Sequence, residues 1–269
     1  MNATTRAAVM TGLMALAWAA HAEQQPKPED TEVWRPEPAR VTPGSAGRAP
    51  SDALVLFDGK GMDEWVSSAA PAKPAGWTVS DGVFSIQPGS GDIQTKRMFG
   101  DYQLHLEWRA PANLKGTGQD RGNSGVYLQD RYEVQILDSY GDTTLDTNEA
   151  GAIYLKKAPD VNASTAPETW QSYDITFRAA HYDADGTKTA DARVTVIWTA
   201  PRFAADGKLQ APAYVTALHN GVLVQNHVAL QGETVYVGKP SYRKHGPLPI
   251  RLQDHGAPVS FRNIWIREL

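Results

Sequence analysis

From Ser51 to the C-terminus, hydrophobic residues recur at every second position in short runs, and the runs end in turn chemistry. Tyr102, Leu104, Leu106 and Trp108 alternate with Gln103, His105, Glu107 and Arg109. Tyr173, Ile175 and Phe177 form a second such set, and Val194, Val196 and Trp198 a third. A strand points successive side chains to opposite faces, so this alternation predicts strands with one buried and one solvated face. Asp81-Gly82, Asp185-Gly186 and Asp206-Gly207 are dipeptides that accept positive φ, as tight hairpin turns require. Beyond the N-terminal segment, no window of about a dozen residues repeats with the helical period. The expected fold is all-β and antiparallel, a sandwich or a barrel.

Two of these strand patterns carry an unusual load of ionisable and amide groups. In Asn123–Ser139, Tyr132, Val134 and Ile136 share one face while Glu133 and Gln135 share the other. In His245–Arg267, Ile250 and Leu252 point one way, Arg251 and Gln253 the other, and Asp254-His255-Gly256 follows at the strand end. Such a face suits a polyhydroxylated ligand better than the Lys, Thr and Ser of an ordinary solvated face.

The chain resembles the 3-keto-disaccharide hydrolase family, long catalogued only as a domain of unknown function. The matching pieces include Leu56-Phe57-Asp58-Gly59-Lys60 with Trp65, Asn123-Ser124-Gly125-Val126-Tyr127, and Tyr132-Glu133-Val134-Gln135-Ile136-Leu137-Asp138. Gly151-Ala152-Ile153-Tyr154, Leu252-Gln253-Asp254-His255-Gly256 and Phe261-Arg262-Asn263-Ile264-Trp265 continue the same order. The resemblance implies an all-β, antiparallel two-sheet jelly-roll sandwich of the concanavalin A-like kind, and cleavage of glycosides or disaccharides already oxidised at C3. A 3-keto group acidifies the C2 hydrogen, so one base can expel the C1 substituent by elimination, and water can then add to the enone. A separate sugar 3-dehydrogenase would supply the substrate.

The residues that could serve this chemistry are Glu133, His255 and either Arg131 or Arg251, as base, acid and electrophile. Asn123, Tyr127, Gln135, Asp138, Arg251, Gln253 and Asp254 are the candidate substrate contacts. Laminarinase-type enzymes carry E-x-D-x-x-E where this chain reads Glu133-x-Gln135-x-x-Asp138, so the central acid is a neutral amide and a retaining double displacement lacks its second carboxyl. Asp138 reaches the Glu133 face only if a bulge follows Ile136. The bland alternative is a solvated strand face with a Glu133–Arg131 ion pair. A noncatalytic carbohydrate-binding domain and a conventional endo-glycosidase remain as rival functions. His105, His219, His227 and His245 are weaker candidates, and Glu107 and Arg109 either line a cleft or pair with each other. No metal-ligand spacing, nucleophile elbow, phosphate loop or dinucleotide fingerprint occurs, so no cofactor is evident. An oxygen-ligated divalent cation such as calcium would leave no motif.

The N-terminus reads as a targeting segment. Arg6 precedes the apolar run Ala7–Ala20, too short to span a bilayer, and Ala20-His21-Ala22 is an A-x-A cleavage site. Met1–Ala22 is thus an expected signal peptide of a periplasmic or secreted protein, Glu23–Pro50 a Pro-rich disordered leader, and residues 51–269 the catalytic sandwich. Loss of the signal peptide removes one of 26 basic and none of 30 acidic residues, so the net charge moves from −4 to −5. Nothing in this balance favours nucleic acid or an anionic membrane. The chain has no cysteine, which excludes disulfides, a Cys nucleophile and a lipidated-cysteine anchor. His181-Tyr182 and the residues around it recur at Arg202-Phe203, an internal repeat that predicts an added hairpin at about residues 178–217.

Overall fold

The computed structural model describes residues 37–45, 47–112, 116–179 and 212–269, together with Lys27, Glu32, His181–Tyr182 and Arg202–Phe203. The expected signal peptide, the Val194 strand and the Asp185-Gly186 and Asp206-Gly207 turns lie outside the described residues. Val41–Leu269 forms one compact unit. Among the described residues, no helix is long and apolar enough to cross a membrane.

One sheet has eight strands: β1 (Leu54–Phe57), β3 (Thr78–Ser80), β4 (Val83–Ser85), β6 (Tyr102–Arg109), β9 (Gln171–Arg178), β12 (Tyr214–His219), β13 (Val222–Ala229) and β15 (Ser260–Glu268). The second has five: β2 (Trp65–Ser67), β5 (Ile93–Thr95), β7 (Ser124–Leu128), β8 (Tyr132–Ile136) and β14 (Arg251–Leu252). Their orders are β13-β12-β9-β6-β15-β4-β3, with β1 also on β15, and β2-β5-β14-β7-β8. All pairings in both sheets are antiparallel. The expected sandwich is therefore present. The remaining pair, β10 (His181–Tyr182) and β11 (Arg202–Phe203), joins the equivalent positions of the internal repeat in parallel.

The period-two pattern decides which face is buried. Tyr102, Leu104, Leu106 and Trp108 point inward from β6, opposite Phe177, Ile175, Tyr173 and Gln171 of β9. Phe57, Trp65, Trp77, Phe84 and Phe261 form an aromatic cluster at one end of this core. Each such buried ring contributes on the order of 1.5–3 kcal/mol by leaving water. The Tyr173 hydroxyl crosses the core and donates to the Gln135 carbonyl at 2.7 Å, which ties the sheets together behind β8. At the predicted Asp81-Gly82 turn both residues have positive φ, 52° and 78°, joining β3 to β4.

Candidate active site

The β7–β8 hairpin builds the floor of the site. Its turn is Gln129-Asp130, with φ of 50° and 52° and neither residue a glycine. Side chains hold it in that conformation: Gln129 Nε2 donates to the Phe99 carbonyl at 2.7 Å, and Asp130 accepts from Arg251. The loop between the paired ends Leu128 and Tyr132 is three residues, Gln129, Asp130 and Arg131, and its length fixes the register, here setting Tyr127 opposite Glu133 and Gly125 opposite Gln135. Because cross-strand partners share a face, all four project outward, away from Val126 and Val134 in the core. On the other side of β7, β14 sets Arg251 beside Tyr127. At the free edge of β8, the Tyr154 amide donates to the Glu133 carbonyl at 3.2 Å, bringing the residue 151–154 segment alongside.

These elements enclose a cleft of about 420 Å³ whose lining includes Asn123, Tyr127, Glu133, Gln135, Gln253 and His255. Glu133 is 3% exposed, and burial pushes its carboxyl up to about 7. The Tyr127 hydroxyl donates to Glu133 Oε2 at 2.8 Å and opposes that rise, as do the positive charges of Arg251 and Lys156. Burial, the Glu133 charge and the hydrogen bond to it all raise the Tyr127 phenol, so Tyr127 remains a donor. Arg251 stacks 3.6 Å above the centre of the Tyr127 ring and is ion-paired with Asp92 and Asp130. Gly125 makes room for the carboxylate, since a Cβ there would stand 2.3 Å from Glu133 Oε1. The Gln135 amide nitrogen donates to Gln119 Oε1 at 3.0 Å, which fixes this neutral side chain beside Glu133. A carboxyl that titrates near neutrality, held by the Tyr127 hydroxyl in a cleft, is suited to proton transfer.

Other residues singled out in the sequence fall elsewhere. Arg131 does not line the cleft or pair with Glu133. It ends the hairpin loop and reaches Glu233 at 3.0 Å, a carboxylate it shares with Arg243. No register shift interrupts β7 and β8, so Asp138 lies past the strand, 2% exposed and bound by Arg121. Its other oxygen accepts from the Tyr140 amide at 3.2 Å. Asp254 shapes the loop instead, accepting from the Gly91 and Gly256 amides at 3.0 Å each. His255 is exposed at the cleft rim. His219 is a core residue, packed against Trp108 and Tyr173, and burial lowers it to about 4. Glu107 and Arg109 do not pair with each other: Glu107 takes Arg262, and Arg109 lies 3.9 Å from Glu168.

Gln119, Tyr154, Thr234 and Tyr236 also line the cleft, and sequence reasoning passed over them. Thr234 Oγ1 accepts from the Glu133 amide at 3.0 Å and lies 3.5 Å from Lys156 Nζ. Gly232, at φ +132° and packed directly against Ser241, allows the tight loop that delivers Thr234 and Tyr236. The only advance signal was Tyr154, which closes one of the family-like pieces. Among the described residues, no three His, Cys, Asp or Glu side chains gather as a metal site. Two larger cavities lie on the other sheet, where Glu107 is engaged by Arg262 and Asn263, and Asp174 by His105.

Residues 52–267 match the family of the 3-keto-alpha-glucoside-1,2-lyase-like domain. The chain belongs to this family. No curated protein matches it. A crystal structure of a candidate glycosyl hydrolase from Parabacteroides distasonis ATCC 8503 is 43% identical, with a TM-score of 0.78, over 90% of this chain and 97% of that one. Two further candidate glycosyl hydrolases from the same organism are each 20% identical over 81% of this chain, covering 94% and 99% of theirs, with TM-scores of 0.54 and 0.52. At that identity they bear on the fold alone.

Proposed function

We propose that this member of the lyase-like family cleaves the glycosidic bond of 3-keto-glycosides, with Glu133 as the base that begins an elimination. The observation that carries the reading is the Glu133 carboxyl, buried in a polar cleft and titrating at about 7. A carboxylate whose conjugate acid titrates near 7 is a stronger base than an ordinary one and better matched to a C2 hydrogen already acidified by the adjacent ketone. Glu133 takes the C2 proton, and the electron pair moves onto the C3 oxygen as an enolate. The Gln253 amide lines the same cleft, with Nε2 3.4 Å from the Tyr127 hydroxyl, and is suited to help hold the developing charge. Collapse of the enolate breaks the C1–O bond, and the departing oxygen takes a proton from His255 at the rim. Water then adds to C1 of the enone and a proton returns to C2, giving net hydrolysis.

The missing second carboxyl supports this path over double displacement. A retaining glycosidase needs two carboxyl groups about 5 Å apart. Here Gln135 is an amide, and Asp138 is engaged by Arg121 beyond the strand. Export of the chain with loss of Met1–Ala22 fits a role on sugars outside the cytoplasm. The test is turnover of matched disaccharides, oxidised at C3 or not. The proposal expects cleavage of the oxidised sugar alone. Equal cleavage of both would favour a conventional glycosidase, and binding without cleavage of either would make the domain a sugar-binding module.

A further inference from the structure

The outward face of the eight-stranded sheet carries a second hollow of about 680 Å³, larger than the cleft and sharing no residue with it. It adjoins a cavity of about 640 Å³ through Glu107, Arg262, Asn263 and Trp265. Its floor follows from the same period-two rule: His105 and Glu107 project outward from β6, and Asp174 projects outward from β9 directly opposite His105. The third contributor, β15, breaks its register between Arg262 and Trp265, and Asn263 there takes a φ of +46°. A bulge of this kind re-aims side chains, and here it aims the Asn263 amide into the network.

The groups form a continuous planar chain. His105 Nδ1 lies 2.7 Å from Asp174 Oδ1, and His105 Nε2 lies 3.2 Å from Asn263 Nδ2. Asn263 Nδ2 also donates to Glu107 Oε1 at 2.8 Å, while Arg262 binds the other Glu107 oxygen. The His105 ring stacks on Trp265, with centroids 5.1 Å apart and planes 13° apart. Arg48 stands in the wall with no ion-pair partner among the described residues. A solvated outer face with routine ion pairs needs neither a left-handed asparagine nor side chains only 15% and 16% exposed, as His105 and Glu107 are. Strained, pre-positioned polar groups are more often found where something is bound.

Glu107 and Asp174 bring two negative charges to the hollow, and Arg262 and Arg48 bring two positive ones. The floor therefore offers hydrogen bonds without a large net charge. Planar carboxylate, amide and guanidinium groups on a recessed floor suit the hydroxyls of a sugar ring. We propose that this hollow is a second, noncatalytic saccharide site that holds a neutral hexose unit on the side of the sandwich opposite the cleft. The inference stands whether or not the cleft performs elimination.

The test is calorimetric titration with unoxidised maltose, cellobiose and laminaribiose at millimolar concentrations. Asn263→Gly is the informative variant, because glycine accepts the positive φ while losing only the amide; Asp174→Ala is the second. At least one disaccharide should bind the wild type and the cleft variant Glu133→Gln equally. Its affinity should fall roughly tenfold or more in Asn263→Gly and Asp174→Ala, with melting temperature and cleavage activity retained. Binding that is lost in Glu133→Gln, or unchanged in both outer-face variants, would overturn the proposal. So would the absence of binding by all three sugars.

Discussion

Replacing Glu133 by glutamine should stabilise the folded protein at alkaline pH while removing its activity. Glu133 is 3% exposed, and burial raises its carboxyl from 4.5 to about 7. A carboxyl with a raised folded pKa holds its proton more tightly in the folded protein than in the unfolded chain. Its contribution is therefore full below the unfolded value and is lost as pH rises through about 7. At about 1.36 kcal/mol per unit, the cost at high pH is about 3 kcal/mol. Glutamine has the same shape, carries no charge at any pH and still accepts from Tyr127. Glu133→Gln should thus gain about 3 kcal/mol near pH 9, or roughly 6–12 °C in Tm for a domain of this size. Near pH 5 the gain should shrink below about 1 kcal/mol. Urea unfolding of both proteins at the two pH values, beside kcat, measures this directly. Equal destabilisation of the variant at both pH values would refute the reasoning, because it would mean that Glu133 is held as a satisfied structural anion.

Gly125→Ala should lower kcat by about a hundredfold, the scale of losing a general base, because the new methyl displaces the Glu133 carboxylate; circular dichroism should show the fold retained. Tyr127→Phe removes a hydrogen bond that favours ionised Glu133, so the acidic limb of the kcat/KM profile should move to higher pH. His255→Ala should cost about a hundredfold in kcat with unchanged stability, as expected for an exposed rim residue. Intact-mass analysis of the exported protein should show Glu23 as the first residue, and retention of Met1–Ala22 would contradict export.

The sandwich was legible because alternation is a local signal: the Tyr102–Trp108 and Tyr173–Phe177 sets point inward as read. Glu133, within β8, and His255, just past β14, line one cleft, and the polar faces beside them were readable in the sequence. What sequence could not convey was competition among partners. Arg131 and Asp138 looked available by spacing, yet Glu233 and Arg121 claim them from distant loops. The Gln129-Asp130 turn carried no glycine signal because its strain is offset by contacts to Phe99 and Arg251. Thr234 and Tyr236 arrive on an irregular loop with no periodicity to read. Gly125 was a missed clue: a glycine inside a strand often marks close approach by another group, here the carboxylate itself.

Deuterium incorporation tests the central claim most directly. If Glu133 removes the C2 hydrogen, a 3-keto disaccharide cleaved in D₂O should release a 3-keto sugar carrying deuterium at C2, above the spontaneous exchange measured without enzyme. Glu133→Gln should neither cleave nor accelerate that exchange. Rapid cleavage that leaves the original hydrogen at C2 would contradict the account.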